Sequence, residues 1–152
     1  MRRLSICLVI FALGGAVLAQ EKKAKGIQLN DLPAAVQKTV QANLKGGEIK
    51  NISKEKEGGV DQYEVETLRN GKARDFDVDL KGTLLVVEEA TAIDAIPAAA
   101  KASILKKVGD GKLGVVETVA KTGQPMMYEF AYTDKNGKKH EMLVKADGTE
   151  TK

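Results

Sequence analysis

Leu32-Pro33-Ala34-Ala35 and Ile96-Pro97-Ala98-Ala99 are one helix opening written twice, 64 residues apart. Three further blocks follow each opening in the same order. Tyr63-Glu64-Val65 returns 65 residues on as Tyr128-Glu129-Phe130. Asn70-Gly71-Lys72 and Lys81-Gly82-Thr83 return 66 residues on as Asn136-Gly137-Lys138 and Asp147-Gly148-Thr149. The spacing grows only between blocks, as single insertions in hairpin connections would make it grow, so the chain reads as one unit present twice.

Each unit opens with a helix. Asn30 or Asp31 is placed to cap the first, Pro33 suits its first turn, and Leu32, Val36, Val40 and Leu44 recur every four residues until Gly46-Gly47. The second has Asp94, Pro97, the stripe Ile96, Ala100, Ile104 and Val108, and a stop at Gly109. Both stripes need a surface to cover them. That surface follows directly in the chain. Tyr63, Val65 and Thr67 alternate with Glu64 and Glu66, and Phe76, Val78 and Leu80 alternate with Asp75, Asp77 and Asp79, the period of a sheet with one buried face. Asn70-Gly71 is a hairpin signal because both central residues of the favoured turn take positive φ. Thr83 to Glu88 gives a further strand, and the second unit gives Leu113 to Lys121, Met126 to Thr133 and Lys138 to Lys145.

The fold class expected is therefore α+β: a tandem repeat of a helix followed by three to four antiparallel strands, with the helices packed on one face of the sheet or sheets. A unit of about sixty residues is near the lower limit for independent stability, so two docked copies would share a core and could join their sheets. The expected boundaries are residues 27–90 and 96–152 for the two units, 91–95 for their linker, and 20–26 for a loose, charged N-terminal tail.

Met1 to Ala19 reads as a secretory signal, with Arg2 and Arg3, an apolar core from Leu4 to Leu18, and small residues before Gln20. The core is shorter than the roughly 20 residues a bilayer demands. Its loss removes Cys7, the single cysteine, leaving no disulfide and pointing to a bacterial periplasm or secretion. Losing Arg2 and Arg3 takes 24 basic residues to 22, against 21 acidic ones, so the mature chain has no basic footprint for nucleic acid. No segment remains that would insert stably into a membrane.

A helix opening Leu32-Pro33-Ala34-Ala35-Val36, a strand Tyr63-Glu64-Val65-Glu66, an Asn70-Gly71 hairpin and Val78-Asp79-Leu80-Lys81-Gly82 running into a turn look like the PepSY and PepSY-like domains. The layout also resembles the tandem units of the beta-lactamase inhibitor proteins. The resemblance implies an exported, non-enzymatic module. PepSY domains accompany secreted peptidases as inhibitory propeptide parts and also stand alone in the envelope, while the inhibitor proteins offer a sheet face to a partner enzyme. This chain lacks their stabilising cysteines, and its aromatic residues after the leader are only Tyr63, Tyr128, Tyr132, Phe76 and Phe130, which argues against beta-lactamase itself as a target.

The sharpest local feature is Asp75-Phe76-Asp77-Val78-Asp79, which puts three carboxylates on one strand face, extended by Glu64 and Glu66. These five are the expected partner-binding residues, for an envelope protein or peptide, and the competing reading is a solvated strand face. An open face would leave Asp77 and Glu64 hydrated and ordinary in pKa. A helix-loop-helix calcium motif needs Gly and Glu where this stretch has Leu80 and Val86, and His140 stands alone, so no metal site and no cofactor are expected. Tyr63 and Tyr128 read as matched core residues. Ser53 and Ser103 sit in no nucleophile motif, and no catalytic constellation is present, so the chain is not expected to be an enzyme. The alternative function is a periplasmic sensor or chaperone-like protein binding a small ligand or cation between the two units.

Overall fold

The structure is a computed structural model that describes residues 26–151; the expected leader and nearly all of the tail lie outside these residues. A 3₁₀ turn at Leu29–Asp31 leads into α1 (Ala34–Leu44), followed by β1 (Glu48–Glu57), β2 (Val60–Arg69), β3 (Lys72–Asp79) and β4 (Leu84–Ala90). A second 3₁₀ turn, Ile93–Ala95, leads into α2 (Ala98–Val108), β5 (Lys112–Lys121), β6 (Met127–Thr133), β7 (Lys139–Lys145) and β8 (Glu150–Thr151). The eight strands form one antiparallel sheet in chain order, so the architecture is α+β and mostly sheet. The seam is β4 against β5, from Val86 opposite Lys121 to Ala90 opposite Glu117. Among the described residues no helix is long and apolar enough to cross a membrane.

Both helices start at their prolines, and neither uses the expected side-chain cap. Pro33 and Pro97 are the N-caps, and their carbonyls accept from the Gln37 and Lys101 amides at 2.9 Å. Asp31 instead accepts from the Gln28 amide within the preceding turn, and Asp94 pairs with Lys101 at 2.5 Å. The first helix also ends earlier than Gly46-Gly47 suggests, because Lys45 itself takes the left-handed conformation, φ 47°.

Two apolar cores lie between the helices and the sheet. In one, Leu32, Val36 and Val40 pack with Ile52, Val65, Phe76 and Val78; in the other, Ile96, Ala100 and Ile104 pack with Val116, Phe130, Tyr132 and Val144. Tyr63 and Tyr128 are half-buried against the first and second core, respectively. The Asn70-Gly71 hairpin has positive φ at both residues, as its sequence requires. Strand β1 carries the weakest sequence signal. Its Lys/Glu-rich segment keeps only Ile49 and Ile52 for the core, and a bulge between Ile49 and Asn51 breaks the two-residue period. Charge on such an edge strand also discourages pairing with other chains.

Candidate functional site

Because the helices cover one face of the sheet, strand alternation sends the other set of side chains to the uncovered face. Cross-strand register then sets carboxylates directly opposite one another. Glu64 of β2 faces Asp77 of β3, Asp75 faces Glu88 of β4, and Glu117 of β5 faces Glu129 of β6. The first pair needs nothing beyond the alternation visible in the sequence. The other two exist only because β4 runs on into β5 and β6. Like charges in direct opposition destabilise a sheet, so three such pairs are a cost that folding alone does not demand.

Five of these six, all but Glu117, line a cavity of about 300 Å³, with Glu55 and Glu57 from β1 and Glu141 from β7 at its sides. Val86, Val119 and Leu143 interrupt the carboxylates, and Lys121 is the one lysine or arginine among the lining residues. Half-buried carboxylates beside apolar side chains lose water, and losing water favours the protonated form. Burial first, then the charges of Glu55, Glu88, Glu64 and Glu57, push Asp77 up to about 8. Burial followed by Glu117 raises Glu88 to about 7, and burial followed by Glu88 and Glu141 raises Glu129 to about 8. Glu64, Glu117 and Glu141 are raised in the same way, with burial as the leading cause. The expectation that Asp77 and Glu64 would be hydrated and ordinary in pKa is thus corrected. A cupped face with neighbouring strands on both sides screens less than an open one.

The five residues singled out from sequence do not act as one group. Glu64 accepts a hydrogen bond from the Ser53 hydroxyl at 3.2 Å, and Glu66 accepts from the Asn51 amide at 3.0 Å near the β1 edge. Asp75 is 8% exposed and accepts the Thr67 backbone amide at 2.8 Å, filling a gap in the strand ladder, while the Thr67 hydroxyl donates to the Arg74 carbonyl. Asp79 sits at the strand end, where its carboxylate accepts from the Lys81 and Thr83 amides at 2.8 Å each. Those turn contacts hold its pKa below the usual carboxylate range. Asp77 is the one at the centre.

Gln62 was not legible as a site residue. It is 3% exposed, and its amide nitrogen donates to Glu55 at 2.8 Å and to Asp77 at 2.9 Å, tying β1 to β3 across the strand between them. Its value lies in two simultaneous contacts, which no single-strand pattern encodes. Glu55, Glu57 and Asp77 also place one carboxylate oxygen each within 4.8 Å of one another, an all-oxygen set of the kind that suits a hard cation such as Ca²⁺. His140 lies away from this cavity. Half-buried, it bonds to Asp134 at 2.9 Å and stacks on Tyr132 with ring centroids 4.8 Å apart, a structural role its isolation in sequence does not reveal.

No family model matches the sequence, and no curated protein matches it. Solved structures do match the fold. A protein of Bacteroides eggerthii provisionally described as periplasmic is 15% identical over 80% of this chain and 86% of its own, with a TM-score of 0.66. A DUF2874 family protein of Bacteroides uniformis is 15% identical over 79% and 86%, with a TM-score of 0.65. A BLIP-like protein of Bacteroides fragilis is 16% identical over 80% and 84%, with a TM-score of 0.59. At these identities the chain shares with them a fold, here the BLIP-like arrangement of helices and one long antiparallel sheet.

Proposed function

We propose that the chain is an exported, non-catalytic binding module built from two PepSY-like units, which holds a protein or peptide partner against the uncovered face of its sheet in the periplasm. The observation that carries this reading is the set of three directly opposed carboxylate pairs, five of whose six residues line one cavity. A surface that keeps such a cost has a use for concentrated carboxyl groups, and complementary charge on a partner would draw them into the ionised form and relieve the repulsion between them. Export is supported by the leader-like Met1 to Ala19 and by the periplasmic description of the Bacteroides eggerthii protein. The BLIP-like fold of the Bacteroides fragilis neighbour agrees with the resemblance to inhibitor proteins that offer a sheet face, and in this reading the binding restrains an envelope enzyme, a peptidase among them. Within the five sequence-derived residues, Asp77 and Glu64 make the contact, Glu66 flanks it, and Asp75 and Asp79 hold the strand and turn that present it.

The test is in-cell cross-linking of the tagged chain, with mass spectrometry of what is captured, beside a Glu88→Gln/Glu129→Gln variant. A discrete partner that is lost in the variant is the expected result. A partner captured equally by both would move the site off this face.

A second reading, a cation sensor, has its own observation in the Glu55, Glu57 and Asp77 oxygens. It predicts a saturable rise in Tm with millimolar Ca²⁺ that disappears in Asp77→Asn.

A further inference from the structure

One strand position is filled in the first half of the sheet and half filled in the second. In the first, β4 lies along β3 from Arg74 opposite Glu89 to Val78 opposite Leu84, and Leu84 and Val87 pack against the core. In the second, β8 reaches only Leu143 and Val144 of β7, opposite Thr151 and Glu150, and adds no apolar residue to the core. Among the described residues none pairs with Lys139 to Met142 on that side. The consequence shows in the packing. Phe76 is 1% exposed, while Met142, the residue 66 positions on, is only half-buried.

Two bonds fix which backbone groups this edge presents. The Lys145 amide donates to the Thr149 carbonyl at 2.9 Å, and the Leu143 carbonyl accepts from the Thr151 hydroxyl at 3.2 Å. Alternate residues of an antiparallel strand turn N–H and C=O toward the same neighbour, and the β6 to β7 register is unbroken, so Glu141 and Lys139 also aim theirs outward. Side chains alternate with the same period. Met142 and Val144 go to the core, and Glu141 and Leu143 go to the cavity, where Glu129 of β6 is diagonal to Glu141.

We infer that this edge takes an extended segment of a partner protein, added antiparallel to β7 as β4 is to β3, with a basic residue opposite Glu141 and apolar residues on either side of it. The outward backbone groups of Glu141 and Lys139 supply the ladder, the half-buried Met142 an apolar contact, and Glu141 with Glu129 the preference for positive charge. A second copy of this chain fits less well, because its open edge, β1, would bring Glu55 and Glu57 onto the same acidic face. The inference rests on the proposed binding reading and names the form of its partner.

The test titrates the isotope-labelled chain, from Gln20 to Lys152, with three blocked pentapeptides observed by amide NMR. The first is Thr-Val-Lys-Val-Thr, the second has Glu for Lys, and the third is the first with its edge-facing amides N-methylated, which keeps the charge and removes the ladder. The expected result is saturable shifts at Lys139, Glu141 and Met142 with the Lys peptide, and exchange of the Glu141 amide slowed about tenfold at roughly nine times Kd. The Lys peptide should bind about two- to fivefold more tightly than the Glu peptide, the size of one cross-strand charge pair, and Glu141→Lys should reverse that order. Equal binding of the N-methylated peptide, with shifts at Glu64, Asp77 and Glu88, would overturn edge addition while leaving the sheet face as the binding surface. No saturable shift at millimolar peptide would overturn it as well, and cross-linking would still judge the binding reading by itself. Shifts at Glu141 on dilution of the protein alone would assign the edge to a second copy, again overturning the inference.

Discussion

The two halves of the molecule solve one packing problem with different residues. In the first, Val65 of β2 faces Phe76 of β3; at the matching place in the second, Phe130 of β6 faces Met142 of β7, so the aromatic ring has changed strands. The helices compensate in the same way, since Val36 and Val40 correspond to Ala100 and Ile104, a smaller residue followed by a larger one. A core selects total volume at close packing and tolerates redistribution within it. On the uncovered face the agreement is only partial, with Asp75 matched by Glu141. Glu64 corresponds to Glu129, but Glu55 and Asp77 correspond to Val119 and Leu143, and Glu57 to Lys121. What the halves keep is what packing demands; where they differ, charge has been concentrated toward one side of a shared surface.

The sharpest way to break the comparison is to empty each core in turn. Phe76→Ala and Phe130→Ala should each cost about 3–5 kcal/mol, since both rings are 1% exposed. Because β4 and β5 are hydrogen-bonded along their length, calorimetry should show one unfolding transition displaced in both variants. Two resolved transitions would mean that the halves fold as separate bodies.

Smaller losses are expected at the turns where helix and sheet touch. Gly82 and Gly148 have φ of 89° and 84°, and a Cβ on either would stand 2.7 Å from a carbonyl oxygen, of Ala35 in one half and Ala99 in the other. Gly82→Ala and Gly148→Ala should each destabilise by about 2–4 kcal/mol, from positive φ and backbone clash together. Denaturant titration measures both. A cost at Gly82 alone would show that the Thr39 hydroxyl bond to the Gly82 carbonyl, at 2.6 Å, matters more than the shared geometry.

The smallest expected effects come from the uncovered face and have the opposite sign. Asp77 at about 8 and Glu129 at about 8 bind protons more tightly folded than unfolded. Their contribution is neutral below pH ~4 and turns unfavourable as pH rises from there to about 8, so stability falls over that range. Asp134 and Asp147 work the other way at the acid end, because their carboxyls are held low by His140 and by the Thr149 amide, respectively. Stability should therefore peak near about pH 4, where the gain from the lowered carboxyls is complete and the loss from the raised ones begins. Asp77→Asn and Glu129→Gln should each raise stability at pH 8.5 by about 1–2 kcal/mol, after allowance for screening by water, and leave it unchanged at pH 4. Melting curves across pH check this, and equal effects at both pH values would show that burial, not charge, sets the cost.

Much of this was legible along the chain. The two apolar stripes, the Asn70-Gly71 hairpin and the alternation in β2 and β3 are local patterns, each fixed by the geometry of a single element. So was the acidity of Glu64 and Asp77. Strand β1 was not, because a bulge and an excess of Lys and Glu erase its period. Nor was Gln62, nor the pairing of Asp75 with Glu88 and Glu117 with Glu129, which are contacts between strands.

Sequence by itself thus determined the helices, most strands and which residues face away from the core, because hydrophobic period is a property of consecutive residues. Only the tertiary structure decided that eight strands form one sheet through β4 and β5, and with that how many carboxylates share one cavity. The physical reason is that a pKa answers to every charge and every excluded water within several ångströms, and the charged residues lining the cavity come from seven different strands.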